Sequence, residues 1–516
     1  MITVAADLST FSRAGILSLL ASYRRSAILC LMSLPQLTVA NVALAATPLL
    51  LVLYLMIGRN WGGSKAGLAG WLAAALVALL AFGADFQLLV VAFGRGLLLA
   101  LYVLYIIWMA LLLYHVVNEA GAIDVLGEEL PALAPDRAAQ ALLLAWVFGS
   151  FLQGASGFGV PAAVIAPLLV GLSFPPNVAV AVALLGHGWA VTFGSLGSSY
   201  LALIAATGLP GETMASQSAI LLAVACFGCG LGVLLTAGGR QGLRERWPFL
   251  ILLTAVMGAV QWALAVIGLW TMAALGAGMA GLAVSALFLR RRRTAGVVLD
   301  RDRLLKAFVP YLLLVLIIVA GQLLFAEPLD VVELNLEFPA VETGFGWRTE
   351  AGPGRSISLL GHAGALLLYA SIGGFLWFRW RGTFQPEKAY DGATIARKTV
   401  KGSIKSTVSI VALVAMALTM QHAGMTQMLA LTLSENTGAL FPLLSSFIGA
   451  LGAFVTGSNT NSNVIFGQLQ QQTAVALGTS VPAILAAQTA GGAIGSVFAP
   501  AKVIVGVSTV AGADEG

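Results

Sequence analysis

Apolar stretches long enough to cross a lipid bilayer recur from one end of this chain to the other. A spanning helix needs about 20 predominantly apolar residues, and at least ten such stretches can be marked. In hydrocarbon every backbone N–H and C=O must be paired within the protein, so only helices and closed barrels can span. Runs of this length select helices, and the chain is expected to be an all-α polytopic membrane protein. Composition agrees: 9% of the 516 residues are charged, against about a quarter in soluble domains. The net charge of +5 falls in loops, where it reports orientation and gives no reason to expect nucleic acid as a partner.

Spans are read at 41–58, 66–82 and 97–117, followed by a polar stretch at 118–138. The next two apolar regions, 139–172 and 176–206, are crowded with Gly, Ser and Pro. Ordinary spans resume at 215–237, 248–270 and 271–289 and end at the basic run Arg290 to Arg293. A span at 306–326 leads to a loop with Glu327, Asp330, Glu333, Glu337, Glu342 and Glu350. The span at 359–378 then leads to a basic loop with Arg379, Arg381, Arg397, Lys398, Lys401 and Lys405. After 406–426 the Gly/Ser/Asn-rich texture returns at 440–466 and 481–510. About 11–13 membrane segments result. The positive-inside rule puts 290–305 and 379–405 inside and 327–356 outside.

That order reads as an internal repeat: unit 1 at 37–238, linking spans and a basic cytoplasmic loop at 239–305, and unit 2 at 306–516. Residues 1–36 form an extra N-terminal segment. Two landmarks share one offset of about 300 residues: the run from Gly149 to Gly154 matches Gly452 to Gly457, and Gly194-Ser195 matches Gly495-Ser496. Arg59 and Lys65 place the first loop of unit 1 inside, whereas its counterpart 327–356 is outside. The units are therefore expected to be inverted, each with a re-entrant hairpin and a broken helix, a recurring plan of secondary transporters. Unit 2 reaches Gly516 before any counterpart of 215–237, so its last helix is expected to be absent.

The two textured regions carry the candidate site. Gln153 to Pro161 holds three glycines and a proline in nine residues, which costs a helix on the order of 5–6 kcal/mol in propensity. Gly457 to Asn463 is as awkward and strongly polar. Irregular chain at membrane depth must face protein or a water-filled cavity, and each stretch reads as a hairpin tip where a half-helix begins. Its free N–H groups attract an anion, while hydroxyls and amides add directional bonds. The substrate-binding candidates are Gln153, Gly154, Ser156, Gly157, Gly159 and Ser195 in unit 1. In unit 2 they are Gly457, Ser458, Asn459, Thr460, Asn461 and Ser462. Small residues also let membrane helices pack closely, but two matched polar tips favour a site. Lys502, after Pro500, is a candidate partner for a carboxylate, with snorkelling to an interface as the alternative. His187, which the repeat pairs with Gln488, is the candidate for proton coupling; a hydrogen-bonded packing histidine is the alternative. Arg95, His115, His362 and His422 fall near expected span ends and read as interfacial.

At the two tips the sequence resembles the lactate permease family of bacterial lactate and glycolate carriers. The run Phe151 to Pro161 follows the family's first motif, and Leu168 to Leu172 and Phe193-Gly194 keep their places. Val455 to Asn463 follows its second, and the segment from Gly491 to Pro500 its third. The resemblance covers about residues 40–510. It implies secondary transport of a 2-hydroxymonocarboxylate such as L-lactate or glycolate across the bacterial inner membrane, usually with protons, with sodium coupling or another organic anion as the alternative. A homo-oligomer is compatible with it. Three positions depart from the family: Gln153 and Asn459 stand where it has acidic residues, and Ser496 where it has a lysine, while Lys502 appears six positions later.

Enzyme readings have little to rest on. Gly154 to Gly157 matches the Gly-x-Ser-Gly of rhomboid proteases, but a serine nucleophile also needs a base within reach. The dinucleotide-like Gly276 to Gly281 lies inside a span with no strand before it and reads as helix packing. Cys30, Cys226 and Cys229 give no disulfide framework, and Cys226-x-x-Cys229 reads as two small packing residues. No cofactor or metal is expected.

Overall fold

A computed structural model describes residues 33–157, 159–290 and 300–510. The N-terminal segment up to residue 32, with Cys30, and the basic run 291–293 lie outside the described residues. Among the described residues ten helices are long and apolar enough to cross a membrane, or eleven if the bent pair Pro176–Ala190 and Gly194–Thr207 counts as one span. That is the lower end of the 11–13 segments expected from hydropathy. Several helices begin at a side-chain cap. Thr38 accepts from the Asn41 N–H at 3.2 Å and Asp85 from that of Leu88 at 2.7 Å. Asp136, Asp300 and Asp391 accept from Ala139, Arg303 and Ala393. Each oxygen satisfies a donor that a helix start would leave unpaired.

The long helix Phe86–Glu119 packs against Gly392–His422 and Ala363–Arg381, and Gly63–Ala81 also packs on Gly392–His422. These helices and Val39–Gly58 turn leucines such as Leu50, Leu72, Leu80 and Leu376 outward, as a lipid-facing surface requires. At one end of the bundle ion pairs join the connectors. Lys398 meets Glu119 at 2.6 Å, Arg303 meets Glu128 at 2.9 Å, and Arg246 meets Asp136. That end carries the loops expected inside. The helix Gly211–Val266 bends at Gly239, whose φ of +60° breaks it beside Arg240 and Arg244.

The opposite end is covered by residues 327–362, expected only as an acidic loop. They form a narrow antiparallel ribbon in three two-residue steps, pairing Glu333 with Ser358, Glu337 with Pro353 and Val341 with Thr349. Arg95 sits over the Phe338 ring and donates to Glu350 and Gly352 carbonyls, and the Trp347 indole donates to the Gln421 carbonyl. The fold is thus an all-α membrane bundle, as expected, with a short β-ribbon added across one end. Hydropathy is blind to a short ribbon that lies across helix ends without crossing the membrane.

Both textured regions are broken helices. In the first, Arg137–Ala155 runs inward through a π-helical stretch, Leu142–Phe148, and breaks at Ser156. Chain with φ of +64° at Gly157 and +86° at Gly159 precedes Val160–Gly171. Gly149 faces Ile165, and Arg137 donates to the Ser173 carbonyl at 2.8 Å, so 137–173 doubles back on itself. In the second, Phe441–Thr456 breaks at Gly457, φ +70°, and Asn459–Ala476 returns; Ser462 donates to the Gly449 carbonyl at 2.8 Å. A second kink follows each hairpin: at 187–197, where Ser195, Leu196 and Gly197 have positive φ, and at 498–499, before Pro500–Ser508.

Helix pairs around the hairpins touch backbone to backbone. A Cβ on Gly186 would strike the Ala145 carbonyl, and Cβ atoms on Gly449 and Gly491 would strike those of Gln488 and Ser446. Glycine there is a condition of the packing. The dinucleotide-like run behaves as expected: Gly278 lies against the Phe151 backbone and Gly281 against Met257. Cys226 and Cys229 are buried in their span.

Candidate functional site

The two tips and the two kinks meet at a cavity of about 560 Å³. Of the residues expected from the sequence, Gln153, Gly159, Ser195, Gly457, Ser458, Asn459, Thr460, Asn461 and Lys502 line it. The cavity reaches Gly62, Ser64, Gly402 and Lys405, at the end of the bundle with the basic loops.

The second tip contributes most of the polar side chains. Ser458 caps the half-helix at the Asn461 N–H, 3.3 Å away. Asn459 donates to Thr192 Oγ1 at 3.1 Å and to Thr489 O at 3.2 Å, which ties the tip to both kinked segments. Asn463, one turn on, donates to Ser199 O and Thr489 Oγ1, both at 2.9 Å. The hydroxyls of Thr460 and Ser199 lie 3.0 Å apart, and Asn461 reaches Ser409 Oγ at 3.4 Å. Two amide oxygens in this cluster, Asn459 Oδ1 and Asn463 Oδ1, are buried with no partner.

The first tip works through shape. A Cβ on Gly157 would run into Ser195 Oγ, so the hydroxyl fills the space the glycine leaves. Gly194 in turn makes room for Gln153, whose Nε2 would lie 2.7 Å from an added Cβ. Gln153 Oε1 is buried without a partner at the cavity wall. Gly154 faces the backbone of Leu275, away from the cavity lining.

Lys502 enters from the second kink, with Nζ 3.1 Å from Ser496 Oγ. The resemblance puts a lysine at position 496. Here Lys502 brings its ammonium group to the Ser496 hydroxyl, so a cation stands beside that position. No carboxylate lines the cavity among the described residues. Side-chain amides, hydroxyls and an ammonium group suit an anionic group with a hydroxyl beside it.

Three of the sequence candidates stand behind the lining. Ser156 donates to Leu152 O at 2.9 Å. Ser462 links Gly449 O to Gln488 Nε2, which donates to it at 3.0 Å. His187 is fully buried, its Nδ1 2.7 Å from Ala183 O and its Nε2 without a partner. Ser156 and His187 are each committed to a local carbonyl, so they make no nucleophile–base pair. Sequence reading passed over Ser198, Ser199, Thr192, Thr489 and Ser409, which look like ordinary helix hydroxyls until the fold gathers them. His115 and Tyr114 also line the cavity, near Gly402 at the end with the basic loops.

A model of the L-lactate permease family matches residues 41–515. The chain is 28% identical to the L-lactate permease of Bacillus subtilis (strain 168), over 91% of this chain and 90% of that protein. It is 26% identical to the L-lactate permease of Escherichia coli (strain K12), over 79% of this chain and 78% of that one. With the glycolate permease GlcA of the same strain it shares 25%, over 86% and 85%. The chain belongs to the L-lactate permease family, a family of multi-pass membrane transporters, and is not an enzyme.

Proposed function

We propose that this member of the L-lactate permease family carries L-lactate, or a related 2-hydroxymonocarboxylate such as glycolate, across a bacterial inner membrane by proton-coupled symport. The observation that carries the reading is the central cavity itself: two broken helices and two kinks supply an ammonium group, amides and hydroxyls, with no carboxylate in the lining among the described residues. The substrate carboxylate pairs with Lys502, and its hydroxyl lies among Gln153, Ser195, Ser458, Thr460 and Asn461. The half-helix N-termini at Val160 and Asn459 add partial positive charge.

Alternating access follows from what closes the cavity on its other side. Val103, Ile107, Ala202, Ile410, Val414 and Val464 form an apolar cluster between the cavity and the ribbon cap. The cavity therefore opens toward the basic loops and is sealed toward the cap. The two hairpins are related as inverted units, the first entering from the basic end and the second from the capped end, and their movement against the other helices exchanges the open side. The proton is carried by a histidine. His187 is the first candidate, because its Nε2 is buried and unpartnered; His115, which lines the cavity, is the second. Sodium coupling has its own support in the unpartnered Asn459 Oδ1 and Asn463 Oδ1 beside Thr192 and Thr489.

Uptake of labelled L-lactate into proteoliposomes under a pH gradient, a sodium gradient or neither tests this directly. Saturable uptake driven by the pH gradient and lost in H187Q or H115Q supports the proposal. A sodium-driven signal moves the coupling ion to the asparagine cluster, and no uptake by folded protein contradicts the substrate.

A further inference from the structure

A second cavity, of about 430 Å³, lies under the ribbon cap. Its walls include Arg355 from the ribbon, His362 at the start of Ala363–Arg381, Tyr102 and Gln322. The Arg355 guanidinium rests 4.3 Å above the centre of the Tyr102 ring, and among the described residues it forms no ion pair. His362 is only 6% exposed. Its Nδ1 accepts the Gly364 N–H at 3.2 Å, so in the neutral ring the proton is on Nε2. That N–H has no partner. Tyr105 stacks on the imidazole and Tyr102 meets it edge-on, with centroids 5.1 and 4.4 Å away, which fixes its direction.

The wall thus offers a cationic fork, with the buried His362 ring packed behind it. It also holds acceptors, the carboxylates of Asp330 and Glu333. Glu333 already accepts from the Ser356 hydroxyl at 2.9 Å. Any carboxylate here is drawn to Arg355 and repelled by Asp330 and Glu333, and a hydroxyl that donates to those carboxylates offsets part of the repulsion. A 2-hydroxymonocarboxylate uses both sets, because its carboxylate takes donors and its neighbouring hydroxyl needs an acceptor.

The position is equally specific. Tyr102 and Leu201 line this cavity, while their chain neighbours Val103 and Ala202 belong to the apolar cluster that seals the central one. Ser198 and Ser199, about a turn before Leu201, line the central cavity. The two cavities stand in series, with the apolar cluster between them.

We propose that the cavity under the cap is an outer capture site for the transported 2-hydroxymonocarboxylate. Arg355 binds its carboxylate, and Asp330 or Glu333 accepts its hydroxyl before the apolar cluster opens. The inference rests on the transport reading given above. The test is L-lactate flux through the full chain in proteoliposomes of known orientation, measured from each side. R355Q is expected to raise the half-saturating concentration on the cap side by about tenfold or more, the order of a lost charge-assisted hydrogen bond. The half-saturating concentration on the basic side and the maximal rate stay as in the wild type, and R355K retains most of the affinity. Wild-type transport with R355Q unchanged, or shifted equally from both sides, overturns the capture site alone; absence of wild-type transport overturns the function on which it rests. Equilibrium dialysis of the purified wild type against labelled L-lactate gives the same answer without a variant. The expected result is two classes of site, and a single class overturns the proposal.

Discussion

The two hairpin tips occupy matching places around one cavity and are built from different chemistry. The first is backbone geometry: positive φ at Gly157 and Gly159, a serine hydroxyl filling the space that Gly157 leaves, and one amide, Gln153, at the wall. The second is a side-chain network in which Asn459 and Asn463 hold Thr192, Thr489 and Ser199. A tip made of glycine tolerates no added atom, whereas a tip made of amides tolerates change until a bond to the substrate or to a kinked segment is lost. Shape and hydrogen bonding are thus divided between the tips, and Lys502 supplies the charge that neither tip carries.

The largest effect is expected at the first tip. G157A adds a Cβ into Ser195 Oγ at a left-handed residue; strain of about 1–2 kcal/mol from the conformation and roughly 1–3 kcal/mol from overpacking combine. Thermal unfolding of the purified protein should fall accordingly, and S195G in the same chain should recover the overpacking part. A G157A protein as stable as the wild type would break the contrast between the tips.

Next comes the charge. K502Q should weaken L-lactate binding roughly 10- to 100-fold, as loss of a hydrogen bond to a charged group predicts, with little change in stability. The exchanged pair S496K/K502S should regain much of it, because both side chains bring an ammonium group to one place. Failure of the exchange, read in the same uptake assay, would separate the two positions.

At the second tip N459A removes three donor contacts to Thr192 and Thr489. It should cost about 1–3 kcal/mol through the acceptors left behind and lower transport more than N461A, whose one bond to Ser409 is 3.4 Å long. N461A, the smallest change, should raise the half-saturating concentration only a few-fold, about what a neutral hydrogen bond of roughly 1 kcal/mol supports. Equal losses in the two variants would mean that the tip acts as a unit.

Much of this was readable before any coordinates. Spans follow from apolar length, and the tips stand out because Gly157, Gly159 and the Gly457 to Asn463 run cannot sit comfortably in lipid. What the sequence hid are partnerships across some 260–300 positions, such as Ser199 with Thr460 and Thr192 with Thr489. A hydroxyl in an apolar helix reads the same whether it bonds its own turn, as Ser371 does with Leu367 O, or faces a cavity. Gly154 was misleading for a related reason: glycine at a tip serves the backbone turn or a neighbouring helix, and only packing tells which. The ribbon cap left no hydropathy signal, so the cavity beneath it, with Arg355 and His362, could not be foreseen.

Binding of labelled L-lactate to the purified wild type and to folded K502Q tests the central cavity most directly. The account predicts a saturable tight component, competed by glycolate, that falls at least about tenfold in K502Q and returns in S496K/K502S. Tight, glycolate-sensitive binding that survives unchanged in K502Q would contradict it and place the anion elsewhere.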